Sequence, residues 1–201
     1  MPPWLLALRA SFTFLTRIPV GGFPYPPETW KWISLWFPLV GLVLGGIASA
    51  LFLILPDALS FGSQAVIIVG LGVLLTGGFH EDGLADTADA LGGAYDKERV
   101  MTILKDSRIG AFGGIALFLA LALRVGLISD LGERMFWGLL LGQSLSRAAS
   151  TMQLAIFPYA QREDGASKSK DVAVSGKVQL VVAALWTGCI LFVATQFGLS
   201  T

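Results

Sequence analysis

The chain has 201 residues, of which 54% are hydrophobic and only 14% charged, with 24 glycines, and its mean hydropathy is +0.71. A soluble domain of this size needs more polar surface than that composition supplies. Lysine plus arginine equals aspartate plus glutamate at 14 each, which leaves no basic footprint for nucleic acid, and the single cysteine, Cys189, excludes an internal disulfide or a thiolate metal site.

Several apolar runs approach the ~20 residues that cross a bilayer as a helix. The expected class is therefore all-α: a polytopic helical membrane bundle, with residues 1–201 forming one integral domain in the lipid bilayer. Residues 1–20 lack a basic stretch ahead of the apolar part, and Arg9 and Arg17 interrupt it. They read as an amphipathic helix ending before Pro19 rather than as a cleavable signal. The GGFPYPP that follows is an irregular turn.

Five spans are predicted, over residues 32–55, 62–79, 111–129, 135–157 and 178–198. Trp30, Trp32 and Trp36 gather at the start of the first, as in an interfacial aromatic belt. Gly41 and Gly45 form a GxxxG pair that would serve internal packing or a homo-oligomer equally well. With the N-terminus on the cytoplasmic side, that side receives Arg9, Arg17, Lys31, Lys97, Arg99, Lys105, Arg108, Arg162, Lys168, Lys170 and Lys177, and the other side only Arg134. This asymmetry predicts a cell (inner) membrane protein whose segment 77–114 faces the cytoplasm as a helical loop.

That segment holds half of the chain's 14 acidic residues together with its one histidine, His80. Asp82, Asp86 and Asp89 recur at i, i+4 and i+7, so a helix would place them on one face. Like charges so stacked repel unless something positive lies among them, and hard divalent cations such as Mg2+ take carboxylate oxygens. Glu81 points away from Asp82 and is a weaker ligand. Leu91-Gly92-Gly93 should stop this helix, and Asp96-Lys97-Glu98 should start another. Lys105, Asp106, Ser107 and Arg108 then lead into a glycine-rich turn at Gly110–Gly114, a helix start able to bind phosphate. Lys97, Glu98 and Arg99 read as an ordinary wet loop. Arg147 cannot face lipid cheaply and should point into the site, whereas Arg124 either pairs with an acidic neighbour or snorkels. His80 reads equally as a base, a ligand or an interfacial histidine.

GGFHEDGLADTADALGG followed by KDSRIGAFGG closely resembles the signature of the cobalamin synthase (adenosylcobinamide-GDP ribazoletransferase) family. FLTRIP at 14–19, WFPLVG at 36–41 and SR followed by FPYAQREDG at 146–165 are also similar to that family, so the resemblance covers most of the chain. It implies an integral membrane enzyme that joins adenosylcobinamide-GDP to alpha-ribazole or its 5'-phosphate, releasing GMP and requiring Mg2+. On that reading Asp82, Asp86, Asp89 and Glu81 hold the metal, and one of the carboxylates or His80 acts as the base. Lys105, Asp106, Ser107 and Arg108 meet the substrate phosphates, with Arg17, Arg147 and Arg162 as further cations. Family members usually continue into a GGxTGDxxGA motif, and this sequence holds no TGD. Two other readings fail on these residues. A CDP-alcohol phosphotransferase would need Ala-Arg where Ala85-Asp86 stands, and a cation-coupled transporter would place carboxylates within its spans rather than at one edge.

Overall fold

The computed structural model describes residues 1–157 and 176–196, and all of its regular elements are helical. They are α1 (Pro3–Leu15), α2 (Pro27–Trp30), a 3-10 turn (Ile33–Trp36), α3 (Phe37–Ile54), α4 (Phe61–Thr76), α5 (Phe79–Gly93), α6 (Lys97–Ile103), α7 (Ala111–Asp130), a second 3-10 turn (Gly132–Arg134), α8 (Met135–Ile156) and α9 (Lys177–Gln196). The chain divides into two compact units. One comprises Met1–Leu55 with Glu133–Thr201, and the other Pro56–Gly132.

In the first unit α3 and α8 run antiparallel and touch backbone to backbone. A Cβ on Gly41 would meet Ser144 Cα at 2.8 Å, and one on Gly45 would meet the Leu140 carbonyl oxygen at 2.6 Å. The GxxxG pair therefore serves internal packing. Three hydroxyls reach across to main-chain carbonyls: Ser49 to Phe136 at 2.8 Å, Ser144 to Pro38 at 2.8 Å and Thr151 to Ser34 at 2.9 Å. Small residues that admit close approach and hydroxyls that bond between helices substitute for the hydrophobic drive that lipid cannot supply. α9 packs on α8, and its Gln179 donates to the Lys31 carbonyl at 3.0 Å. α1 turns Ala7, Ala10, Ser11 and Leu15 inward at helical spacing. Ser11 donates to the Ile33 carbonyl at 2.7 Å, and Trp36 Nε1 to the Trp4 carbonyl at 2.7 Å. The turn at 21–27 closes on α1, where Arg9 donates to the Val20 carbonyl at 2.7 Å and Gly21 and Gly22 adopt positive φ.

In the second unit α4 begins at the Ser60 cap and ends where Gly77 and Gly78 both adopt the left-handed conformation. Two such residues in succession redirect the chain, and α5 leaves at 88° to α4. α5 packs on α7, as does α4. Asp96 caps α6 by accepting from the Arg99 N–H at 2.8 Å, the start that its acidic first turn predicts.

Among the described residues three helices are long and apolar enough to cross a membrane: Ile33–Ile54, Ala111–Asp130 and Lys177–Gln196. The chain is thus a helical membrane protein, with three such spans among the described residues, or four if α4 and α5 form one bent span, beside the five expected. The segment predicted at 62–79 stops as a helix at Thr76, and α4 passes only when joined to the bent-away α5. The span predicted at 135–157 is a 22-residue helix, but Gln143, Ser144, Ser146, Arg147, Ser150, Thr151 and Gln153 make it too polar to qualify.

Candidate active site

α5 carries the acidic residues, and its local sequence explains which way each one points. Glu81, Ala85, Asp89 and Gly92 recur at helical spacing and meet α7 in succession. Glu81 forms an ion pair with Arg124 of α7 at 3.1 Å. A Cβ on Gly113 would stand 2.8 Å from the Ala85 carbonyl, and a Cβ on Gly92 would stand 2.5 Å from the Phe112 ring. Asp89 accepts hydrogen bonds from the main-chain N–H of Gly110, at 2.6 Å, and of Gly113, at 2.8 Å.

Asp82 and Asp86 occupy the adjoining strip of the helix, one turn apart. Asp82 is exposed and Asp86 half-buried, and among the described residues neither is in an ion pair. α5 carries five ionisable side chains in its 15 residues and runs alongside α7 as far as Arg124.

The four carboxylates expected to share one metal are divided. Glu81 and Asp89 engage α7, while Asp82 and Asp86 face outward. Among the described residues no three His, Cys, Asp or Glu side chains converge as a metal-holding group. His80, also exposed, stands at the start of α5 with its ring 5.4 Å from that of Phe79.

The expected phosphate-binding segment follows α6. Lys105, Ser107 and Arg108 are exposed. Arg108 folds back on Asp106 through Nη2 at 2.7 Å and Nε at 3.0 Å, and its own N–H also reaches Asp106 Oδ1 at 3.1 Å. The Arg108 side-chain hydrogen bond, reinforced by the backbone one, lowers the Asp106 carboxyl to about 2. At the start of α7, two of the amides expected to face phosphate are taken by Asp89 instead. An aspartate followed by G-x-x-G at the next helix start would have signalled this arrangement.

The remaining candidates belong to the other unit. Arg17 is exposed beyond the end of α1, in a turn fixed by Thr16, whose hydroxyl donates to the Phe12 carbonyl at 2.7 Å and accepts from the Ile18 N–H at 3.1 Å. Arg147 is 8% exposed within α8, and its Nη1 donates to Gln143 Oε1 and, at 3.0 Å, to Ser146 Oγ. It is buried, as its cost in lipid requires, but within its own helix's polar strip. Arg162 lies outside the described residues. Arg124, left open between pairing and snorkelling, pairs with Glu81.

Residues 7–200 match the family model described as cobalamin-5-phosphate synthase. Three relatives carry the name adenosylcobinamide-GDP ribazoletransferase. The protein of Shewanella amazonensis is 42% identical over 94% of this chain and 74% of its own length. That of Albidiferax ferrireducens is 40% identical over 95% of this chain and 72% of its own, and that of Polaromonas naphthalenivorans 47% identical over 65% and 49%. No solved structure matches the chain. The family match spans α5 and the Lys105–Arg108 segment, and the chain belongs to the cobalamin-5-phosphate synthase family.

Proposed function

We propose that this protein is an adenosylcobinamide-GDP ribazoletransferase acting at the cytoplasmic face of the cell (inner) membrane. It joins adenosylcobinamide-GDP to alpha-ribazole or its 5'-phosphate with release of GMP. The observation that carries this reading is the activity named for relatives that align with nearly the whole chain. The geometry of the second unit agrees with it. Asp82 and Asp86 present hard oxygen donors one turn apart with no ion-pair partner among the described residues, a donor set that fits a divalent cation such as Mg2+. Such an ion would neutralise the phosphate oxygens and the charge that develops on the leaving group.

The residues of the chain do the rest. A ribose hydroxyl attacks the corrinoid-side phosphorus, the new P–O bond forms as the pyrophosphate bridge breaks, and GMP departs with the bridging oxygen. Lys105 and Arg108, both exposed at the end of the α6 excursion, grip phosphate oxygens. The hydroxyl proton passes to one of the α5 carboxylates or to His80. The test is GMP release from adenosylcobinamide-GDP and alpha-ribazole by membranes containing this chain, with and without Mg2+. Release that requires the chain, both substrates and Mg2+ is expected. Its absence at millimolar Mg2+ would sink the reading.

A further inference from the structure

Asp89 stands on the edge between the two strips of α5, and its contacts decide which it serves. Both oxygens are engaged: Oδ2 accepts from Gly110 N at 2.6 Å and Oδ1 from Gly113 N at 2.8 Å. Gly110 is the N-cap residue of α7 and has no side-chain cap of its own, and Gly113 lies three residues on. These are the two N–H groups that a capping box satisfies from within a helix. Here one carboxylate from another helix satisfies both, at the end of α7 whose dipole favours negative charge. The two glycines are what let it approach, since a Cβ at either would fall within 2.9 Å of the Asp89 carboxyl carbon. Between Asp89 and Gly110 the chain makes its excursion through α6, Lys105 and Arg108. Asp89 closes that loop at its base, and Arg108 is only two residues from the closure.

The geometry points to Asp89 as a positioning residue for the transfer reaction. It clamps the start of α7 to α5 and so fixes the Lys105–Arg108 segment relative to Asp82 and Asp86, instead of contributing to the metal. This inference rests on the transferase reading above, and its test separates the two.

The full chain is compared with Asp89→Asn, Asp86→Asn and Gly113→Ala in nanodiscs. Asparagine keeps the shape but turns a donor toward one N–H. Hydrogen exchange at the Gly110–Gly114 amides should rise about tenfold in Asp89→Asn. GMP turnover should fall while half-saturation by Mg2+ stays within about twofold of wild type, whereas Asp86→Asn shifts that half-saturation by roughly tenfold or more. Gly113→Ala, whose Cβ would leave the carboxylate chemically intact but meet both it and the Ala85 carbonyl, should reproduce the Asp89→Asn pattern. It also stands in if Asp89→Asn does not fold. Unchanged amide exchange, or a Mg2+ shift in Asp89→Asn as large as in Asp86→Asn, overturns the clamp. If the wild-type chain releases no GMP, the transferase reading falls, and the exchange measurement alone still decides whether Asp89 holds α7.

Discussion

Asp82 and Asp86 stand one turn apart with no ion-pair partner among the described residues. A pair kept in that state is most useful when something cationic arrives, so Asp82→Asn and Asp86→Asn should each lower GMP release by about 100-fold or more. Chromatographic assay of GMP at several Mg2+ concentrations checks this, and full activity at ordinary Mg2+ in either variant would remove that residue from the site. Asp106 behaves differently. Its folded-state carboxyl is lowered to about 2 by Arg108, so the contact contributes fully above the ordinary carboxylate value of about 3.9 and is lost only as pH falls through about 2. Asp106→Asn should therefore raise KM for the pyrophosphate substrate by no more than about fivefold, as for an exposed pair. That increment should be constant from about pH 5 to 8. A KM ratio that changes across this range would contradict the assignment. The i, i+4, i+7 spacing made the acidic face of α5 legible but could not divide it. Which edge meets α7 depends on where the chain returns after 16 intervening residues, 94–109, and no local periodicity encodes that. Hence Glu81 and Asp89 read as ligands, Gly110 and Gly113 as part of a phosphate-binding turn and Arg124 as pairing or snorkelling, while the contacts that join them stayed illegible.

At the scale of elements, α3 and α8 depend on the absence of side chains at two positions. Gly41→Ala would put a methyl 2.8 Å from Ser144 Cα, a backbone atom that cannot rotate away. The expected cost is about 1–3 kcal/mol, read as a lower thermal midpoint in detergent. Gly46→Ala is the control. Its Cβ would meet only Leu140 Cδ1 at 3.9 Å, so it should be neutral or more stable by up to about 1 kcal/mol through helix propensity. Equal destabilisation by both would show that the contact does not distinguish the two faces. The helices starting at Ala111, Met135 and Lys177 were legible to within a residue or two, because polar or glycine-rich breaks flank each apolar run. The end of α4 was missed by three residues, since Phe79 continues the apolar run while Gly77 and Gly78 have already turned the backbone. Hydropathy follows side chains, and the turn is made by residues without them.

For the whole molecule, the sidedness of the site rests on one helix. α7 has 20 residues, and its most apolar stretch has a mean hydropathy of 2.2, about 30 Å of helix and enough to cross the hydrocarbon core. Its two ends must then face opposite compartments, whether or not α4 and α5 together make a span. Lys97, Arg99, Lys105 and Arg108 precede it and only Arg134 follows closely, which is the reason for the proposal that the leading end faces the cytoplasm. Tyr95, fully exposed before α6, and Asp130, exposed at the far end of α7, report on the two ends. In a Cys189→Ser background, Tyr95→Cys should react with a membrane-impermeant maleimide in inverted vesicles and not in intact cells, and Asp130→Cys should do the reverse. Both labelled from one side would mean that α7 does not cross. The opposite pattern would put Asp82, Asp86, Lys105 and Arg108 on the far side from cytoplasmic nucleotides, and the transfer of a GDP-activated substrate at this site would have no supply.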